Sequence, residues 1–335
     1  GEGTVEAIVS ARAGELREVE VSGPLGDPVR ARYGLFDGDC AVIEMAEASG
    51  ITLIEQTREN ALKASTLGVG QLILDAIDEG ARHVYIGLGG SATSDGGVGM
   101  AKALGVRFLD VYGKPIPCGL VGLGDLGSID CSGLTPALEG VEIVALTDVT
   151  NPLTGPEGAV CVYGPQKGIA KSDEAEMDEW MGRYARILED CLGHDYASLP
   201  GAGAAGGLGA ALAAFCGAHL ERGIELVLDA IHLDDELAGV DLVLTGEGRM
   251  DAQSAFGKAP VGVARRAKAH GVPAVAVVGS RAEDLGSVYD SGISLVVPTT
   301  IGPATLEECI AHVNELLPLA AESAVRAYLL GSNTR

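Results

Sequence analysis

Five short, unbroken apolar runs limit what this chain can fold into: HVYIG at His83–Gly87, VEIVAL at Val141–Leu146, VDLVLT at Val240–Thr245, VPAVAVVG at Val272–Gly279 and ISLVVP at Ile293–Pro298. Continuous rather than alternating hydrophobicity over so few residues suits a strand covered on both faces, as inside a parallel sheet. Most of the runs are spaced by helix-length segments such as Pro260–His270, which is the pattern of βαβ units in a doubly wound sheet.

The N-terminal stretch follows another rule. LREVEVSGPLGDPVRARYGLF from Leu16 and CAVIEMA from Cys40 are near-alternating β-rich runs, broken at Gly23–Pro24, Gly26–Asp27–Pro28 and Asp37–Gly38–Asp39, as antiparallel hairpins are. At 335 residues the chain can supply two cores, at roughly 100–200 residues each. The expected fold class is α/β: a Rossmann-like, doubly wound, mainly parallel sheet domain plus a second α/β domain with mixed or antiparallel strands. The expected division places residues 1–71 in part of the mixed domain and residues 72–150 with 236–335 in the Rossmann-like domain. Residues 151–235, Gly-rich and helical, are assigned to neither.

A net charge of −24 and an aromatic content of 4% argue against nucleic acid as a partner, because polyanion binders cluster Lys and Arg and stack bases on aromatic rings. Seven cysteines stand singly, without a CxxC pair, and read as buried free thiols of a reducing, cytoplasmic compartment. Gly201–Leu220 is long and weakly polar, but Gly and Ala give little transfer energy to lipid, so no membrane partner is expected. The six histidines form no HExxH or similar ligand spacing. No GxxxxGK[ST] loop and no GxSxG elbow occurs.

Parallel strands end at a common edge, so residues after them can share a crevice. The segments there are GLGGSATSDGGVG from Gly87, TDVTNPLTGPEGA from Thr147 and TGEGRMDAQSAFGK from Thr245. They set Asp95, Asp148, Glu247 and Asp251 beside glycine-rich backbone, with Lys258 following. Exposed backbone amides cradle phosphate oxygens, and carboxylates hold Mg²⁺ or accept a proton, so the set suits phosphoryl transfer. Taken singly, each Asp is equally a helix cap or turn residue, and Lys258 a first-turn residue. GAGAAGGLG at Gly201–Gly209 is either a phosphate nest containing Gly203 and Gly206 or a close-packing site. A competing reading is an NAD-dependent dehydrogenase: Gly87–Ala92 fits G-x-G-x-x-A and Asp110 follows as a ribose-binding acid, although Ser94–Asp95–Gly96–Gly97 interrupts the helix which that motif requires.

The blocks GEGTVEA, GLGGSATSDGGVGMAKALG, TDVTNPLTGPEGA, VYGPQKG, PGAGAAGGLGAAL and TGEGRMDAQSAFGKAP resemble, in order, the signature blocks of class I glycerate kinases. The resemblance implies a two-domain cytoplasmic enzyme that uses ATP and Mg²⁺ to phosphorylate D-glycerate to 2-phosphoglycerate or 3-phosphoglycerate. It carries binding roles to Gly89, Gly90, Ser91, Thr93, Asp95, Asn151 and Gln253, which Gly203 and Gly206 join on the phosphate-nest reading. It carries catalytic roles to Asp148, Glu247, Asp251 and Lys258, with Asp148 and Asp251 as Mg²⁺ ligands or base, Lys258 on the transferred phosphate and the Gly89–Ser91 backbone on an anion. The family also begins with a strand and a Ser/Lys-bearing loop resembling APDSFKG, which is not found ahead of GEGT here. If that segment is absent from the molecule, the expectation is a sheet short of one strand and of a phosphate-handling Lys, which favours a non-catalytic ligand-binding descendant; if it precedes Gly1, the expectation is a complete enzyme. A homodimer is the default assembly for such an enzyme.

Overall fold

The computed structural model describes residues 3–256 and 258–332, apart from the side chains of Gln253, Phe256 and Ser332. The chain divides into two compact units, Gly1–Gly223 and Ile224–Arg335.

In the first unit, β1 (Glu15–Ser22), β2 (Pro28–Phe36) and β3 (Cys40–Glu44) form an antiparallel meander. Its turns use the left-handed conformations of Gly26, Asp37 and Gly38. The sheet continues in parallel with β4 (His83–Gly87), β7 (Glu142–Leu146) and β8 (His219–Glu221), in the order β1-β2-β3-β4-β7-β8. A separate antiparallel pair, β5 (Arg107–Asp110) and β6 (Leu126–Asp130), stands outside it. The helix Leu67–Asp78 lays Val69, Leu72, Ile73 and Ala76 into the same core as Ile43, Val84 and Ile86. Tyr33 is fully buried there, and its hydroxyl is satisfied by donation to Asp75 Oδ2 at 2.7 Å.

The second unit is a three-stranded parallel sheet of β9 (Val243–Met250), β10 (Ala274–Arg281) and β11 (Ile293–Pro298), in the order β11-β10-β9. Alternate residues of β10 explain its double covering. Ala274, Ala276 and Val278 pack with Val261, Ala264 and Ala267 of the helix Ala259–Ala269; Val275 and Val277 pack with Ala320 and Ala324 of the helix Val313–Ser332. The expected class, a parallel doubly covered sheet beside a mixed-sheet α/β unit, is what the chain adopts.

The strand pairing corrects the expected division. β4 and β7 hydrogen-bond within the sheet of β1–β3, with Cys40 opposite His83 through Glu44 opposite Gly87, and not with β9–β11. An apolar run marks a strand but says nothing about which edge it pairs with. Of residues 151–235, the helices Ala159–Lys167, Glu174–Leu192 and Ala204–Cys216 belong to the first unit. The Gly/Ala-rich run Gly201–Leu220 contains the whole of the last of these, mostly buried, and no helix of the described residues is long and apolar enough to cross a membrane. The cysteines are free as expected, but none is fully buried, and Cys118 and Cys191 are exposed.

Candidate functional site

In the first unit, the loop after β4 is built against two neighbouring segments, the end of β7 and residues 49–51. Leu88 N donates to Leu146 O at 3.0 Å, Ile51 N donates to Gly90 O at 2.8 Å, and Ala92 N donates to Ser49 O at 2.9 Å. Gly89 and Gly90 remain exposed, while Ser91, Thr93, Ser94 and Asp95 turn inward.

Asp95 is fully buried, and its oxygens accept from Thr66 N (2.9 Å), Thr66 Oγ1 (3.0 Å), Gly97 N (3.1 Å) and Gly99 N (3.0 Å). Burial pushes its carboxyl up, and these donors oppose the shift. Its acceptor capacity goes to tying the start of the helix Val98–Ala103 to the start of Leu67–Asp78, so Asp95 faces the interior rather than a ligand. The dinucleotide alternative fails in the same place: the helix begins at Val98 rather than directly after the glycines. Asp110, on the separate β5–β6 pair, caps its own turn by accepting from Tyr112 N and Lys114 N.

The loop after β7 places Asp148 at the exposed strand edge. The surrounding protein still desolvates its carboxyl enough to push it up, against Arg222 and the Gly223 amide. Asn151 organises its own loop: Nδ2 donates to Glu157 O at 2.8 Å, and Oδ1 accepts from Tyr163 OH at 2.7 Å. Gly203 and Gly206 are buried close-approach positions, not an open nest. A Cβ on Gly203 would lie 2.3 Å from Pro152 O, and one on Gly206, at φ +68°, would lie 2.0 Å from Thr93 O.

Two functional candidates escaped the sequence reading. Glu44, ending β3, accepts from Thr4 N at 2.7 Å and Val5 N at 3.1 Å and so caps the helix Thr4–Ala11. Lys167, in VYGPQKG, is buried and donates to Thr93 O at 2.5 Å. Its only sequence signal is a lysine immediately before the glycine that ends its helix.

In the second unit, Glu247, Asp251 and Lys258 come together. Lys258 Nζ lies 3.4 Å from Glu247 Oε2, 3.9 Å from Asp251 Oδ1 and 3.1 Å from Ser254 Oγ. Glu247 lies within β9 rather than beyond it, because β9 stays paired with β10 as far as Met250. Its inner oxygen, Oε1, is buried and without a partner among the described residues. Asp251 Oδ1 accepts from Ser254 N at 3.2 Å, which fixes the turn leading to Lys258 at the head of the helix Ala259–Ala269. The side chain of Gln253 lies outside the described residues. The arrangement offers hard carboxylate oxygens beside an ammonium, which together can hold a divalent cation and a phosphoryl oxygen. No group of three or more His, Cys, Asp or Glu among the described residues is placed to hold a metal alone.

The family model for the "Glycerate kinase family" matches residues 1–329. A glycerate kinase of Halalkalibacterium halodurans is 47% identical over 324 residues, covering 96% of this chain and 85% of that protein. The glycerate 2-kinase of Escherichia coli is 43% identical over 332 residues, covering 99% and 87%. A crystal structure named for glycerate kinase 2 of Salmonella typhimurium LT2 superposes with a TM-score of 0.83 at 46% identity, covering 99% of this chain and 87% of that one.

Proposed function

This chain belongs to the glycerate kinase family, and we propose that it transfers the γ-phosphoryl group of ATP to the 2-hydroxyl of D-glycerate. The observation that carries this reading beyond the family is the trio Lys258, Glu247 and Asp251, in which a buried oxygen of Glu247 has no partner among the described residues and lies beside an ammonium. An unpartnered carboxylate oxygen in such company fits a hard divalent cation that takes its remaining ligands from phosphates and water. Mg²⁺, when bound, neutralises charge on the β- and γ-phosphate oxygens.

The chain's own groups then have separate tasks. Lys258 offsets charge on the transferred phosphoryl group, while Glu247 and Asp251 hold the cation. Asp148, whose carboxyl burial pushes up, accepts the proton of the attacking hydroxyl. The exposed Gly89 and Gly90 amides bind an anionic group. The hydroxyl oxygen of glycerate forms a bond to the γ-phosphorus as the bond to the β–γ bridging oxygen breaks, and ADP leaves. The 2-position is favoured by the name of the Escherichia coli relative.

A coupled assay of ADP release with D-glycerate, ATP and Mg²⁺, followed by phosphorus NMR of the product, tests both the reaction and its position. Asp251→Asn and Asp148→Asn are each expected to lose most of their turnover with the fold intact. Near-normal turnover in both would remove these assignments.

A further inference from the structure

Lys167 is the last residue of the helix Ala159–Lys167 and is 3% exposed. Lysine is rarely buried this completely, because its ammonium loses its hydration. Burial pulls it down to about 7, and only Asp95 opposes the shift. The backbone around it is fitted closely: Gly168 follows at φ +106°, where a Cβ would lie 2.6 Å from Thr57 C.

The amine reaches the middle of the loop after β4, at Thr93 O. That segment lacks the usual side-chain support of its own, since Thr93 Oγ1 and Ser94 Oγ are both buried without partners among the described residues. Backbone bonds flank it, Ala92 N to Ser49 O and Gly96 N to Gly206 O, both 2.9 Å, and the neighbouring Asp95 is tied to Thr66. Gly206 also presses against the Thr93 carbonyl from the opposite segment. Among the described residues, Lys167 is thus the one side chain that grips residues 93–94, linking the helix after the β7 loop to the loop after β4.

We propose that Lys167 is a positioning residue for phosphoryl transfer, which fixes the Gly89–Asp95 loop through the Thr93 carbonyl and so sets the direction of the exposed Gly89 and Gly90 amides. The proposal rests on the anion-binding role given to those amides above. A buried amine suits the task because it is long enough to cross from one loop to the other and, with its helix end locked, has little freedom to let go.

The test compares the full chain with Lys167→Met and Lys167→Arg, with Gln166→Ala, exposed on the same turn, as control. Kinetics with D-glycerate, ATP and Mg²⁺ are paired with hydrogen–deuterium exchange of the peptide spanning residues 88–96. The expected result is a folded Lys167→Met that loses on the order of 100-fold in kcat/KM, chiefly in kcat, because small misplacements of reacting groups cost about that much. Exchange at Ala92 and Gly96 quickens, Lys167→Arg recovers part of both losses, and Gln166→Ala matches wild type. A folded Lys167→Met with wild-type kcat or unchanged loop exchange overturns the proposal. So does failure of both lysine variants to fold, which makes the amine a folding group only. If the wild type itself does not turn over glycerate, the kinase reading falls, and loop exchange alone decides the positioning contact: faster exchange in Lys167→Met upholds it and unchanged exchange overturns it.

Discussion

The strand-end loop of the first unit and the acid–lysine cluster of the second use polar residues in opposite ways. In the first, Asp95, Asn151, Thr66 and Lys167 direct their polar atoms at their own or neighbouring protein segments. In the second, Lys258 is 42% exposed and Glu247 keeps one oxygen without a partner among the described residues. A polar, glycine-rich motif can therefore serve chiefly to hold a loop in shape, with only Gly89 and Gly90 of its glycines turned to solvent. A much sparser set of charges can hold the groups left available to a ligand.

The sharpest way to break that contrast is to remove each kind of group. Lys258→Met should lower kcat on the order of a thousandfold, the loss expected when a charge-stabilising donor is deleted. Its melting temperature should hardly move, since the group is half-exposed. Gly206→Ala should act through the fold first. The added methyl meets Thr93 O at a left-handed φ, so stability should fall by on the order of 3 kcal/mol by denaturant titration. An equal stability loss in Lys258→Met would dissolve the distinction.

A subtler probe uses proton linkage. The folded Lys167 amine lies at about 7, below its ordinary value of 10.5. Between these the unfolded chain binds the extra proton, so this group's contribution to stability rises with pH. The slope is at most about 1.4 kcal/mol per pH unit. Stability of wild type minus that of Lys167→Met, measured from pH 7 to 10, should therefore climb, and a flat difference would show that the amine is not buried in solution. The smallest effect belongs to the surface: Lys63→Ala removes an exposed pair with Glu59 and should cost less than about 0.5 kcal/mol.

Much of this architecture could be read from the sequence. The apolar runs became β4, β7, β9, β10 and β11, and the Gly/Pro breaks became the turns of the meander, because periodicity and turn chemistry are local properties. The partnership of β3 with β4 could not be read, since hydrogen bonding between residues 43 apart leaves no trace in either run. Of the candidate site, the meeting of Glu247, Asp251 and Lys258 followed from their closeness in sequence. The inward turn of Asp95 depended on Thr66, and the grip of Lys167 on a carbonyl 74 residues away; neither distance is written into a motif.

The buried amine also makes the molecule its own clock. Acylating reagents attack the neutral form of a lysine, a small fraction of each surface lysine at neutral pH; burial pulls the Lys167 amine toward that form while its packing shields it from the reagent. Its rate of labelling would then count the moments when the wall of protein around the β4 loop parts, a record of rare openings written in one covalent bond.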